Sequence, residues 1–210
     1  MAIRADREYI HTSLYRPELQ WRAAEIIEGE EQKYIVEGYA TTYDDPYTIF
    51  SFDGVDYKET ISRDALAGAD MSDVIFLYNH EGMVYARQSN GTLQLSSDEH
   101  GLHVRADLGS TEASREMFES IKAGLVTQMS WAFTIGADEY DEGTHTRQIN
   151  SVKKVYDVSA VSIPANPSTD ISARSYFEGV IEEERRRERE RAEKIERIKE
   201  LLKGANPDEH

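Results

Sequence analysis

Short runs of β-branched and aromatic residues, broken every few positions by Gly, Asp or Asn, fill residues 31–163. That pattern predicts strands joined by turns. Residues 34–40 form one such run. In residues 101–108 apolar and polar positions alternate, and Asp98-Glu99-His100-Gly101 just before them supplies turn chemistry. With Leu93 and Leu95 on a partner strand, the segment predicts a hairpin. Residues 74–78 read as a buried strand followed by a turn at Asn79-His80-Glu81-Gly82. In residues 128–135, Met129, Trp131, Phe133 and Ile135 share one face, while Gln128, Ser130, Ala132 and Thr134 share the other, a small and polar one. In a last strand, Val155, Asp157, Ser159, Val161 and Ile163 lie on one face until Pro164 and Pro167 halt the ladder.

Two stretches depart from this period. Ser110 and Thr111 are caps for a helix in which Glu112 favours the positive end and Ala113, Met117, Phe118 and Ile121 recur at helical spacing before Gly124. A shorter helix is expected to start at Ser62. After Ser175 the composition changes abruptly: residues 178–203 hold nine Glu and nine Lys or Arg, with no Gly or Pro between Gly179 and Gly204. This tail reads as a charged helix with i,i+4 pairs such as Glu182 with Arg186 and Glu193 with Arg197. Ile195, Ile198, Leu201 and Leu202 are its apolar positions, so it is either a solvated helix or one that docks on a partner. The expected organisation is a main domain over residues 1–175 and a charged helical tail over residues 176–210.

Composition narrows the chemistry. The 210 residues carry a net charge of −16, which disfavours polyphosphate partners, and no nucleic acid is expected. The tail is balanced, so the acidity belongs to the domain. With no cysteine, disulfides, thiolate metal sites and thiol nucleophiles are excluded. Residues 1–7 are charged and lack a signal-peptide core, and no stretch approaches the roughly 18 apolar residues that span a bilayer. The reading is a soluble, non-exported protein without membrane contact.

Hydroxyl, carboxylate and imidazole chemistry remain. His80, at a strand end, suits a general base near neutral pH, but a lone histidine is more often an ordinary surface or core residue. Ser130 is a nucleophile only with a base in hydrogen-bond reach, and there is no Gly-x-Ser-x-Gly elbow of the α/β-hydrolase kind. Asp157 among valines is either exposed on an edge strand or paired with a cation or an imidazole N–H. His100 and His103 flank a turn without a third metal ligand. The acidic stretch at residues 138–143 lacks the EF-hand pattern and reads as a solvated hairpin loop. No cofactor and no metal are expected.

Four segments in order carry a resemblance: Glu37-Gly38-Tyr39-Ala40; the apolar strand ending in Asn79-His80; the helix ending in Lys122-Ala123-Gly124, followed by Met129-Ser130-Trp131-Ala132-Phe133; and the run from Asp157-Val158-Ser159 to Pro164-Ala165-Asn166-Pro167. Together they resemble the prohead maturation proteases of tailed phages, over about residues 16–171. The family is in turn similar to herpesvirus assemblins, which place a second His where Asp157 stands. The resemblance implies a mainly β (α+β), assemblin-like antiparallel β-barrel surrounded by helices, with the charged helix at its C-terminus. It assigns His80 as base, Ser130 as nucleophile and Asp157 as the group that orients His80. It also implies a serine endopeptidase acting on major capsid protein and scaffold segments, and on itself, inside assembling proheads in the host cytoplasm, with self-association possible. Two departures stand out. The family more often has Glu at position 157, one methylene longer, and Ile-Gly-Phe where this chain has Trp131-Ala132-Phe133. The rival reading is a non-catalytic capsid assembly or scaffolding protein on the same fold, binding coat protein through the tail.

Overall fold

The computed structural model of the chain describes residues 8–11, 22–28, 31–109, 111–162 and 171–204. In chain order the elements are β1 (Glu8–His11), β2 (Arg22–Glu28), β3 (Glu31–Thr42), β4 (Tyr47–Phe52), β5 (Val55–Ile61), β6 (Ile75–Tyr78), β7 (Glu81–Arg87), β8 (Leu93–Ser97), β9 (Gly101–Asp107), α1 (Glu112–Lys122), β10 (Gln128–Asp141), β11 (Thr146–Val161) and α2 (Ile171–Gly204). The chain divides into two compact units, Met1–Ser172 and Ala173–His210.

The first unit is mainly β. One sheet runs β4-β5-β11-β10-β1, with β6 joined to β11 and β7 to β6; the other runs β2-β3-β9-β8. Among the described pairings neither sheet closes on itself, so a closed barrel is not what these strands form. Nor is the larger sheet purely antiparallel. β11 pairs antiparallel with β10, but on its other edge it runs parallel to β5 (Ile149 opposite Ile61) and then to β6 (Asp157 opposite Ile75). β11 is therefore a central strand, flanked on both sides.

The β8–β9 hairpin follows the sequence pattern. Leu102, Val104 and Ala106 are buried while His103, Arg105 and Asp107 are half-buried, as alternation on a one-faced strand requires. Its turn is held by the Asp98 carboxylate, which accepts from the N–H groups of His100 (2.8 Å) and Gly101 (3.0 Å) and from the Tyr39 hydroxyl (2.8 Å). Gly101 has no room for a side chain, since a Cβ there would sit 2.0 Å from the Thr41 carbonyl oxygen. His100 and His103 lie edge-on to the Tyr39 ring at 4.7 and 5.1 Å.

In α1, Thr111 is the N-cap and its hydroxyl accepts from the Ser114 N–H; Ser110 lies outside the described residues. The buried face is Ser114, Met117, Phe118 and Ile121, with Phe118 meeting Tyr34 of β3 edge-to-face at 5.2 Å. The helix expected at Ser62 is instead a series of turns closed by Ala65 N–H to Ser62, Ala67 to Asp64 and Ala69 to Leu66. Each is an i,i+3 bond, and none propagates into the i,i+4 ladder a helix needs.

β10 departs from its expected polar face. Met129, Trp131 and Phe133 are fully buried, but so are Ser130 and Ala132 on the opposite side. Asp138, expected in a solvated loop, belongs to the β10 extension, where its carboxylate accepts from Arg147 Nε at 2.7 Å. Arg147 also lies 3.6 Å from Glu59, whose other carboxylate oxygen accepts from the Tyr47 hydroxyl. Buried charges persist only when paired in this way.

In the second unit α2 is one long helix, and Gly179 does not interrupt it. Its ion pairs include Glu183 with Arg186 and Arg187, Arg186 with Glu190, and Glu196 with Lys199, so i,i+3 and i,i+4 pairing operates along the helix, with Arg186 meeting Glu183 and Glu190. Ile195, Ile198 and Leu201 are exposed.

Candidate active site

β6 and β7 meet in a two-residue turn, because Tyr78 pairs directly with Glu81. Asn79 and His80 fill it with φ of 51° and 58°, the left-handed pair that a type I′ hairpin turn demands and that Asn tolerates best. Glu81 and Gly82, expected in the turn, already belong to β7. The turn is pinned to the end of β11: the Asn79 N–H donates to the Ala160 carbonyl (2.9 Å), and the Asn79 side-chain carbonyl accepts from the Ser162 N–H (3.1 Å). This fixes His80 over the face of β11 that carries Asp157 and Ser159.

Ser130 sits directly opposite Ser159, and Ala132 opposite Asp157, across the β10–β11 ladder. Small residues on this face of β10 leave room for the imidazole. His80 Nε2 lies 2.7 Å from Ser130 Oγ and His80 Nδ1 lies 2.6 Å from Asp157 Oδ1. The side chains of His80 and Asp157 are only 8% and 4% exposed, and Ser130 is buried as well. An ionised carboxylate can only accept hydrogen bonds. In the neutral imidazole the proton then sits on Nδ1 and is donated to the Asp157 carboxylate, and Nε2 is the acceptor for the Ser130 hydroxyl.

The structure thus brings together all three residues singled out from sequence, His80 from a turn and Ser130 and Asp157 from the two consecutive strands β10 and β11. Asp157 lies on a central strand, not an exposed edge, and its shorter side chain reaches the imidazole directly. The end of the last motif, from Ile163 to Pro167, lies outside the described residues.

One further member was not singled out. The Ser159 hydroxyl donates to Asp157 Oδ1 at 2.8 Å and lies 3.2 Å from His80 Nδ1; Ser159 is fully buried. The signal for it was the i,i+2 spacing from Asp157, which puts both on one face of a strand.

A hydroxyl, an imidazole and a carboxylate linked in this order form the Ser-His-acid constellation, which is recognised by geometry and not by position in a sequence. The chain belongs to the caudovirus prohead serine protease family, whose model matches residues 18–182. It is 25% identical over 154 residues to the prohead protease of Enterobacteria phage HK97, an alignment that covers 72% of this chain and 65% of that one. The chain thus spans just under two thirds of that relative's length. No solved structure matches it.

Proposed function

We propose that this chain is a serine endopeptidase with Ser130 as nucleophile, His80 as general base and acid, and Asp157 as the group that holds His80. The observation that carries this reading is the pair of short hydrogen bonds on the two nitrogens of one buried imidazole, 2.7 Å to Ser130 and 2.6 Å to Asp157. His80 Nε2 takes the Ser130 proton as Oγ attacks a peptide carbonyl, then returns it to the leaving amine; water hydrolyses the acyl-enzyme by the same route. Asp157 keeps the proton on Nδ1 and stabilises the imidazolium that forms.

Family membership supports a role in prohead maturation. The substrates proposed are the major capsid protein, scaffold segments and the protease itself, cut inside the assembling prohead in the host cytoplasm. The likeness to herpesvirus assemblins, which place a second His where Asp157 stands, just before the Val-Ser pair, stays part of this proposal. So does the division at residue 175, with the charged tail as a docking element. A purely scaffolding role is disfavoured, because such a role requires no buried relay between Ser130, His80 and Asp157.

The test is co-expression with the cognate coat protein, followed by mass mapping of the products. Ser130→Ala is expected to abolish processing, by roughly six orders of magnitude in kcat, while the circular dichroism spectrum stays that of the wild type. His80→Ala behaves likewise. Asp157→Asn keeps the shape but favours the wrong tautomer, and a loss on the order of 10⁴ is expected. Processing by Ser130→Ala at the wild-type rate would overturn the assignment.

A further inference from the structure

Two edges flank the strand that carries Ser130. One is occupied by β11 along the whole of β10, from Gln128 opposite Val161 to Asp141 opposite Thr146. The other is taken by β1, which runs antiparallel with Glu8 opposite Phe133, Tyr9 opposite Ala132, Ile10 opposite Trp131 and His11 opposite Ser130. β1 is four residues long, short for a strand. The last of its described pairs, His11 opposite Ser130, lies at the position of the hydroxyl placed above as the nucleophile.

An endopeptidase must hold a polypeptide in extended form, and the feature shared by all such substrates is the backbone. Strand addition to an open sheet edge recognises that feature through main-chain hydrogen bonds. Because β11 fills one edge throughout, the edge covered by β1 is where an extended peptide can lie alongside Ser130. Directly opposed residues of antiparallel strands have Cα atoms about 4.5–5.5 Å apart, so a peptide in this seat brings one carbonyl within reach of the residue that bears the hydroxyl. In this chain that residue is His11.

We infer that the β10 edge from Ser130 to Phe133 is the seat of the substrate's extended segment, and that β1 of the same chain occupies it as a built-in competitor. The inference rests on the assignment of Ser130 as nucleophile. A segment on the same chain competes at an effective concentration on the order of millimolar, so a peptide supplied in trans at micromolar concentration reaches the seat only when β1 leaves it. The device holds the protease closed to dilute substrates and open to those packed at high local concentration.

The experiment measures binding without turnover. A fluorescein-labelled peptide of residues 5–14 is titrated, by fluorescence anisotropy, into the Ser130→Ala chain and into the same chain lacking residues 1–11. At least tenfold tighter binding to the shortened chain is expected. Tyr9→Pro and Ile10→Pro in the full-length Ser130→Ala chain give a second route that keeps the chain at its full length. Neighbouring strand residues alternate in donating to a given partner, so one of the two removes a ladder hydrogen bond and is expected to open the seat as the deletion does. In parallel, diisopropyl fluorophosphate, small enough to need no strand seat, is tested for labelling of Ser130 in the otherwise unaltered chain. Labelling of Ser130 together with equal peptide binding to all variants, or binding to none, overturns the seat while leaving the nucleophile in place. Failure to label Ser130 overturns the nucleophile and, with it, this inference.

Discussion

Asp157 faces two donors at once, the Nδ1–H of His80 and the hydroxyl of Ser159, and both converge on the same oxygen, Oδ1. A carboxylate buried to this degree is costly unless its lone pairs are used, and Ser159 supplies what His80 alone does not. Ser159 meets Asp157 and His80 Nδ1 and so acts as a positioning residue for the carboxylate that holds the imidazole. Hydrogen bonds to charged groups contribute about 1.5–3 kcal/mol, so Ser159→Ala is expected to lower kcat by roughly 10- to 100-fold with KM unchanged. Ser159→Thr keeps the hydroxyl and is expected to stay close to wild type. Steady-state kinetics on a quenched peptide separates this from a packing role, in which both substitutions would act through stability and neither through kcat alone.

The β8–β9 hairpin shows how one turn couples to pH. Burial acts to raise the Asp98 carboxyl, but the N–H donors of Gly101 and His100 and the Tyr39 hydroxyl outweigh it and hold it below the usual range. The same contact raises the Tyr39 phenol above its ordinary value, chiefly through its hydrogen bond to Asp98. A depressed carboxyl contributes stability above its unfolded value, near 3.9, and loses it as pH falls through the folded value. A raised phenol contributes below its unfolded value, near 10, and loses it as pH rises through the folded one. Thermal melting across pH 3–11 is therefore expected to fall at both ends, and Asp98→Asn is expected to flatten both limbs relative to wild type. Unchanged limbs in Asp98→Asn would remove this turn from the pH response. The hairpin was legible because its alternation is strict and its turn residues are local. β10 and β11 were less so: their active segments are buried on both faces, and a strand buried on both faces leaves no period to read. His80, Ser130 and Asp157 owed their recognition to the order of motifs. Their contact depends on the parallel pairing of β6 with β11, which no local pattern encodes.

At the scale of the molecule, charge and apolar surface are divided between the two units. The first carries nearly all the net negative charge, while α2 is balanced and leaves Ile195, Ile198 and Leu201 exposed at helical spacing. Among the described residues no helix is long and apolar enough to cross a membrane. Since every member of the relay lies in the first unit, deletion of residues 178–210 is expected to leave kcat/KM on a peptide within about twofold, and to reduce incorporation into proheads. Loss of peptide cleavage on deletion would instead make the tail part of the catalytic unit. The parallel neighbours of β11 carry a last consequence, for the time course of folding. β10 and β11 are joined by a short turn and zip locally, whereas β5 and β6 must return from about eighty positions earlier in the chain. Closing so long a loop costs entropy before any contact rewards it, and non-local pairings of this kind are slow. During synthesis Ser130 emerges well before Asp157, and His80 reaches both only once β6 has docked. A nascent or half-folded chain therefore does not hold Ser130, His80 and Asp157 together, and the three meet only once the non-local pairing of β6 with β11 has formed.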